Sequence, residues 1–269
     1  MSRRIFHSLS SVLAGFRLVG LDRLAPLTGV DLANIRSALS SSSRVPKFSS
    51  PTPTRHAAVL LGLCNTTEHG PGMILTVRSQ NMRMHPGEIS FPGGHHDPEV
   101  DQSLLGTALR EAHEEVGLIP QQIEYLGSLE PLASNSGSTL VWPFVVFVHL
   151  LDRPESAFSK ARTPMVPRLM SRQAAEPMRS PGLENLHGNH QVAEVELVFQ
   201  VSLTTLLEPH RQKPSYFRND PQRPYLEWNL EPEIVSAKNA AAPNHSSQRP
   251  PTTTNRLWGL TGWLIKLRG

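Results

Sequence analysis

The sequence has 269 residues, of which 38% are apolar and 18% are charged, with a formal net charge of +3. A chain of this length can form one sizeable hydrophobic core with appendages, or two small domains. Cys64 is the only cysteine, which excludes an internal disulfide and a zinc site built from several thiolates. The basic residues form no run interleaved with aromatic residues, so nucleic-acid binding is not expected. No apolar run reaches the roughly 18 residues of a membrane-spanning helix.

The first 21 residues form a basic segment that contains three arginines, several serines and no acidic residue. Segments of this kind are typical of mitochondrial transit sequences, and we place one within residues 1–30. An N-terminal surface helix is the alternative. Because of this segment, a cytosolic location is less expected. The carboxyl end, IKLRG, lacks an S-K-L tripeptide, so a peroxisomal location is less expected as well. The apolar residues that share one helical face are Ile5, Leu9, Val12 and Phe16.

A short helix beginning near Asp31 and a Ser/Pro-rich linker are predicted to occupy residues 31–54. The folded domain is then expected to span residues 55–269. Irregular insertions are predicted at about 153–191 and 208–254, because both stretches are rich in proline and polar residues.

Within the domain, apolar runs bounded by glycine, proline and polar residues predict strands. A helix is predicted over about 101–117, and another in the closing segment RLWGLTGWLIKLRG. Strands on both sides of one strong helix indicate an α+β fold, with helices layered on a sheet. The predicted strands cover residues 56–64, 73–79, the segment GEISFPGG, and residues 123–129, 142–150 and 194–203.

The helix at 101–117 carries three glutamates on adjoining turns, Glu111, Glu114 and Glu115. Like charges at this spacing are mildly destabilising, and a solvated charged face is the ordinary explanation. However, these acids are not interleaved with lysines, and they follow closely behind the glycine pair Gly93–Gly94. One or two carboxylates, completed by waters and substrate phosphates, are the usual ligands of Mg²⁺. The pattern therefore favours a divalent-cation site.

The segment REAHEEVGL, residues 110–118, resembles the core R-E-U-x-E-E-x-G-U of the Nudix box. The complete box begins G-x5-E-x7-R-E, and this sequence departs from that beginning. The box places its glycine at position 96 and its first glutamate at position 102, where this chain has His96 and Gln102. Gly94 lies two residues too early.

Just upstream, ILTVRSQNMRMHPGEISFPGG, residues 74–94, resembles the additional motif of the coenzyme A diphosphatase branch of the Nudix hydrolases. That motif reads L-L-T-x-R-[SA]-x3-R-x3-G-x3-F-P-G-G. Ile74 in place of the first leucine is the one mismatch. The likeness extends over about residues 55–207 and the C-terminal end.

The resemblance implies an α/β/α sandwich around a mixed sheet. It also implies hydrolysis, dependent on Mg²⁺ or Mn²⁺, of coenzyme A and its acyl esters to 3′,5′-ADP and (acyl-)4′-phosphopantetheine. Glu111 and Glu115 would be the principal metal ligands and Glu114 a further ligand or the residue that positions water. Arg110 would orient a neighbouring glutamate, and Glu194 would act as base or outer ligand. The residues implied in substrate binding are Arg78, Ser79, Arg83, Gly93 and Gly94.

Other interpretations stay open at this point. A Nudix hydrolase of NADH, ADP-ribose or a dinucleoside polyphosphate would share the box but would not need the upstream arginine motif. A non-catalytic nucleotide-binding protein would normally lose one of the glutamates. Arg78 and Arg83 could be ordinary arginines at a strand end, and Glu194 an ordinary acid at a strand edge.

Overall fold

The protein is built around an eight-stranded sheet. Its structure, a computed structural model, describes residues 25–40, 55–66, 70–134, 137–150, 176–182, 193–216, 220–221, 224–241, 256–257 and 259–265. The strands of the sheet are β1 (Arg55–Thr66), β2 (Gly70–Arg78), β3 (Ile89–Ser90), β4 (Gly93–His95), β5 (Ile123–Ser128), β6 (Leu132–Ala133), β7 (Thr139–Val148) and β8 (Val195–Ser202).

The sheet is mixed. Its main path runs β3-β2-β1-β7-β5, and β4, β6 and β8 pair with β1, β7 and β2 respectively. Strands β1 and β7 are parallel, whereas the other pairs in this sheet are antiparallel. The long apolar runs predicted as strands all lie in this sheet, which confirms the predicted α+β class.

Helices cover both faces of the sheet, which gives the sandwich that the sequence resemblance implied. Along β1, alternate side chains enter two separate clusters of buried residues. Helix α1 (Gly29–Ser40) contributes Ile35 and Leu39 to one cluster. Helix α2 (Leu104–Val116) contributes Ala112 and Val116 to the other.

Helix α2 has well-defined ends. At its start the Ser103 hydroxyl accepts the backbone N–H of Gly106 at 3.0 Å. At its end Gly117 adopts φ 74°, a left-handed conformation that glycine accepts at little cost, as the sequence predicted. Both caps fix where the acidic residues of the helix lie relative to the sheet.

The packed unit begins earlier than residue 55, the predicted start of the domain. Helix α1 lies over β5, where Leu39 occupies the space left by Gly127, whose added Cβ would be 2.5 Å from the Leu39 Cβ. Upstream of the helix, Asn65 Nδ2 donates to the carbonyl oxygens of Leu27 (2.9 Å) and Met178 (2.7 Å). The Ser/Pro-rich stretch separates α1 from β1 in the sequence, so the sequence pattern did not reveal this shared core.

The prediction of an irregular insertion over 208–254 is wrong for residues 212–216 and 224–241, which form two strands and a helix. Three strands there and downstream form a second antiparallel sheet, in which the strand that starts at Pro224 lies between the other two. Proline hid these strands, but Pro214 lies in an edge strand and Pro224 is the first residue of its strand, positions where a sheet tolerates proline. The elements are α3 (Leu203–Leu207), β9 (Gln212–Tyr216), β10 (Pro224–Asn229), α4 (Glu231–Ala241), β11 (Arg256–Leu257) and α5 (Gly259–Ile265).

This C-terminal part is anchored on the main sheet. Trp228 is fully buried, and its indole N–H donates to the carbonyl oxygen of Leu206 at 2.8 Å. Helix α4 packs on β8, and β11 contacts β3. The C-terminal part therefore packs against β8 and β3, and β3 is the strand that precedes the Gly93–Gly94 turn.

Several predictions from the sequence concern residues outside the described ranges. They include the first 24 residues of the transit segment, the linker at 41–54 and most of the insertion at 153–191. These stay predictions. In the part of the chain that is described, no helix combines the length and the apolar character needed to span a bilayer.

Replacing Ile35 by alanine tests whether α1 belongs to the core. The Ile35 side chain is 2% exposed, so Ile35→Ala should lower the free energy of unfolding by about 2–5 kcal/mol. Val30→Ala, at a 49% exposed position of the same helix, should change it by no more than about 0.5 kcal/mol. Urea denaturation of both variants measures the difference, and equal effects would contradict the shared core.

Candidate active site

The turn that precedes α2 requires glycine at Gly93. This residue has φ +153°, and an added Cβ would lie 2.2 Å from the carbonyl oxygen of Ala58 in the neighbouring strand. The close approach directs the Gly93 N–H toward the helix, where it donates to Glu115 Oε2 at 2.9 Å. The glycine pair and the acidic helix are thus joined by a direct hydrogen bond.

Glu115 is the most buried of the three glutamates, with only 4% of the residue exposed. Burial raises the pKa of its carboxyl to about 7; the Gly93 N–H acts in the opposite direction, and the nearby Glu111 raises the pKa further. A carboxylate in this environment is unfavourable without a nearby cation. The spacing of the three glutamates in the sequence did not show that Glu115 is buried.

Glu111 lies beside Glu115, one turn earlier on the helix. Burial raises the pKa of Glu111, Arg110 lowers it, and Glu114 raises it again. Gly94 packs directly on this carboxylate, since an added Cβ at Gly94 would be 2.3 Å from Glu111 Oε1. A glycine at position 94 therefore leaves the room that the Glu111 carboxylate occupies.

Arg110 connects the acids of the helix to the preceding loop. Its Nη1 donates to Glu114 Oε2 at 3.0 Å, and its Nη2 lies 3.1 Å from Glu111 Oε1. Its Nε donates to Asp101 Oδ1 at 2.9 Å. These contacts place the guanidinium beside two of the three glutamates; the orienting role of Arg110 stays a prediction.

Arg78 and Glu194 approach the same carboxylates from the sheet. Arg78 ends β2 opposite Val195 of β8, and the backbone N–H of Ser79 donates to the carbonyl oxygen of Glu194 at 2.8 Å. The charges of Arg78 and Glu194 both act on the pKa of Glu115, Arg78 lowering it and Glu194 raising it. The Arg78 Nε is buried and has no hydrogen-bond partner among the described residues. The structure thus brings together Arg78, Glu111, Glu115 and Glu194.

Three other predicted residues lie in different surroundings. Arg83 is exposed in the loop between β2 and β3. Ser79 is buried, and its hydroxyl accepts the N–H of Asn81 at 3.2 Å, which indicates a role in shaping that loop. Glu114 is 38% exposed at its side chain and pairs with Arg110, so it lies farther out than Glu111 and Glu115.

The donor set fits a hard divalent cation, although no three acidic, histidine or cysteine side chains of the described residues form a complete cage. Carboxylate oxygens are the ligands that Mg²⁺ and Mn²⁺ prefer, and Mg²⁺ usually keeps waters and substrate phosphates in its remaining positions. Two half-buried to buried carboxylates with raised pKa values, Glu111 and Glu115, suit such a partial site.

Asp101 is the residue at this site that sequence reasoning missed. The box places its acid at position 102, and Gln102 is exposed, whereas the neighbouring Asp101 is buried and bonded to Arg110. The signal in the sequence was the acid one position before the expected one. The match was hidden because the glycine lies two positions before its place in the box and the acid lies one position before its place.

Asp101 makes folding dependent on pH. Its hydrogen bond with Arg110 holds the pKa of the carboxyl well below the unfolded value of about 3.9. A lowered pKa stabilises the fold above the unfolded value, and this contribution is lost as the pH falls through about 4 toward the folded value. Asp101→Asn should lower the free energy of unfolding at pH 7 by about 2–3 kcal/mol, because it removes one partner of a buried ion pair. The loss is smaller than for a fully buried pair, because Arg110 keeps partial contact with water.

The difference between wild type and Asp101→Asn should shrink between pH 5 and pH 3, as measured by urea denaturation across this range. Glu99→Gln, at an exposed position of the same loop, is the control and should show a small difference at every pH. A difference for Asp101→Asn that stays constant down to pH 3 would contradict the ion pair.

Residues 53–179 match the family model of the NUDIX domain. A "probable nudix hydrolase" of Schizosaccharomyces pombe is 34% identical over 179 residues, which cover 66% of this chain and 50% of that protein. The Nudix hydrolase NudL of Photorhabdus laumondii is 50% identical over 91 residues, 34% of this chain and 46% of that protein. The chain thus spans about half the length of these relatives.

Among solved structures, the NUDIX domain of Shewanella oneidensis NrtR in complex with ADP ribose is 19% identical, with a TM-score of 0.34. The match covers 61% of this chain and 82% of that one. So low a score adds no support of its own. The family match, together with the mixed sheet and the helix behind the glycine turn, identifies residues 53–179 as a Nudix domain.

Proposed function

We propose that this protein hydrolyses the diphosphate bond of coenzyme A and its acyl esters, with Mg²⁺ or Mn²⁺ as cofactor. The observation that carries the proposal is the meeting of Glu111, Glu115 and Glu194 with Arg78 at the end of β2. Three acids and an arginine whose buried Nε has no hydrogen-bond partner within the described part of the chain suit a metal-bound diphosphate.

The reaction adds one water across a phosphoric anhydride and gives two phosphate monoesters. When bound, the metal supplies charge neutralisation at the phosphoryl oxygens and a more acidic water. Glu111 and Glu115 would hold it, and the Gly93 N–H fixes the direction of the Glu115 carboxylate. Glu194 would accept a proton from the attacking water as the new P–O bond forms. The bridging P–O bond breaks, and its electron pair leaves with the departing phosphate.

The two arginines of the upstream motif are suited to different phosphates. Arg78 lies close enough to Glu115 for its charge to lower the pKa of that carboxyl, so it would contact the reacting diphosphate. Arg83 is exposed on the loop that follows β2 and would contact the 3′-phosphate of coenzyme A. Arginine suits both positions because its guanidinium can bind phosphate through two parallel hydrogen bonds.

Support for coenzyme A over other nucleoside diphosphate derivatives comes from the motif at residues 74–94. The structure gives this motif a physical order: β2 ends at Arg78, a loop carries Arg83, and β3 leads back to the glycine turn that contacts Glu111 and Glu115. NADH, ADP-ribose and dinucleoside polyphosphates lack the 3′-phosphate and would leave Arg83 without its partner.

Replacing Glu115 by glutamine tests the metal-dependent hydrolysis. Glu115→Gln removes a charged ligand while keeping the size of the side chain, so turnover of coenzyme A should fall by at least about 100-fold. The protein should remain folded, since burial already disfavours the charged form of Glu115. Glu99→Gln is the control and should keep full turnover. Unchanged turnover of Glu115→Gln at saturating Mg²⁺ would refute the proposed role.

The 3′-phosphate assignment is tested by comparing coenzyme A with its 3′-dephospho form. A charge-assisted hydrogen bond contributes roughly 1.5–3 kcal/mol, which predicts a preference for coenzyme A of about 10- to 100-fold in kcat/KM. Arg83→Ala should abolish this preference and spare hydrolysis of the dephospho form. Lys213→Ala, which removes an exposed cation on β9, should leave the preference intact.

Two outcomes would contradict this part of the proposal. Equal kcat/KM values for the two substrates in wild type would exclude recognition of the 3′-phosphate. A higher kcat/KM for NADH than for coenzyme A would assign the protein to another Nudix substrate class while leaving the diphosphate chemistry in place.

A further inference from the structure

The loop between β4 and α2 holds a buried acid that the Nudix box does not place there. Asp101 is 8% exposed, whereas Gln102, at the position of the box glutamate, is exposed. A carboxylate is rarely buried unless its oxygens are bonded to partners. The surroundings of Asp101 therefore indicate what this loop does.

The Asp101 carboxylate is held from three directions. Arg110 binds it with two nitrogens, Nε to Oδ1 at 2.9 Å and Nη2 to Oδ2 at 3.1 Å. The backbone N–H of Asp97 donates to Oδ2 at 3.0 Å, and the Thr107 hydroxyl donates to the same atom at 2.9 Å. These bonds leave the carboxylate one orientation within the loop.

Thr107 fixes this arrangement from the helix side. The residue is fully buried on the first turns of α2. Since its hydroxyl donates to Asp101, it accepts from His96 Nδ1, which lies 2.8 Å away. His96 occupies the position of the box glycine. His96, at the box glycine position, and Asp101, one residue before the box glutamate position, thus belong to one hydrogen-bonded group.

The consequence reaches the metal-binding acids through Arg110. Adjacent residues of a helix do not ordinarily face each other, yet Arg110 Nη2 lies 3.1 Å from Glu111 Oε1. Asp101 directs the guanidinium to this position by binding its Nε and Nη2, and Nη1 then donates to Glu114. One guanidinium thereby sets the positions of two of the three glutamates.

We propose that Asp101 is the positioning residue of the site: through Arg110 it orients Glu111 for metal binding and holds Glu114 beside it, and Thr107 and His96 hold Asp101. The proposal deepens the proposed function, because it takes Glu111 as a metal ligand. It differs from a general stabilising role for the loop in that loss of Asp101 weakens metal affinity in protein that is still folded.

The test measures Mn²⁺ affinity without substrate, by electron paramagnetic resonance of free Mn²⁺ at a temperature where each variant is fully folded. Asp101→Asn should weaken Mn²⁺ binding by about 10- to 100-fold, the usual effect of losing a residue that supports a ligand. Thr107→Val, which removes only the hydroxyl, should weaken it by about 2- to 10-fold. Thr107→Ser keeps the hydroxyl and should bind as wild type, and so should Gln102→Ala.

A double variant separates position 101 from position 102. If the acid acted wherever the box places it, Glu at 102 would compensate for the loss of Asp101. The exposure of Gln102 predicts instead that Asp101→Asn/Gln102→Glu binds Mn²⁺ as weakly as Asp101→Asn alone. Should Asp101→Asn fail to fold, the comparison of Thr107→Val with Thr107→Ser decides the question.

Unchanged Mn²⁺ affinity in folded Asp101→Asn would overturn the proposal, and where that variant does not fold, unchanged affinity in Thr107→Val would do so. Restored Mn²⁺ affinity in the double variant would also overturn it. So would the absence of Mn²⁺ binding by wild type. A wild type that binds Mn²⁺ but hydrolyses no coenzyme A would refute the proposed substrate and leave the role of Asp101 supported by the variants. The two proposals therefore fail on different measurements.

Discussion

The site depends on one electrostatic constraint: the carboxylates of Glu111, which is half-buried, and Glu115, which is buried, lie side by side on α2. Glu194 is close enough to raise the pKa of both. Burial raises the cost of each charge, and proximity raises it further. The fold offsets part of this cost with a peptide N–H from Gly93 and with the charges of Arg78 and Arg110. A divalent cation would offset the rest, which is why the arrangement favours metal binding over a structural role.

Much of the remaining structure serves to hold this arrangement. The central sheet brings the end of β2 beside the start of β8, so that Arg78 and Glu194 meet although more than a hundred residues separate them in the chain. The glycine turn lets the backbone approach both glutamates, and neither Gly93 nor Gly94 has room for a Cβ. Helix α1 and the C-terminal sheet lie outside this centre and bury the apolar surface of the main sheet.

The sequence predicted the elements that carry strong periodicity or composition. Helix α2, its glycine end and the long strands were visible because their apolar patterns are local, and the acids were visible from their spacing. What depended on distant contacts was not visible. The place of Leu39 against Gly127 and the strands at 212–216 and 224–229 depend on residues far apart in sequence. The bond between Asp101 and Arg110 depends on a shift of one position in a motif. The burial of Glu115 is of the same kind, since only the folded turn covers it.

The central claim is that the buried acids bind a divalent cation, and the most direct measurement is the melting temperature of metal-free protein titrated with Mg²⁺ in the absence of substrate. A ligand that binds only the native state stabilises it in proportion to the logarithm of its concentration above the dissociation constant. We expect a progressive rise in melting temperature for wild type and little or none for Glu115→Gln, with an equal Na⁺ ionic strength as control. An identical response of the two proteins to Mg²⁺ would contradict the central claim.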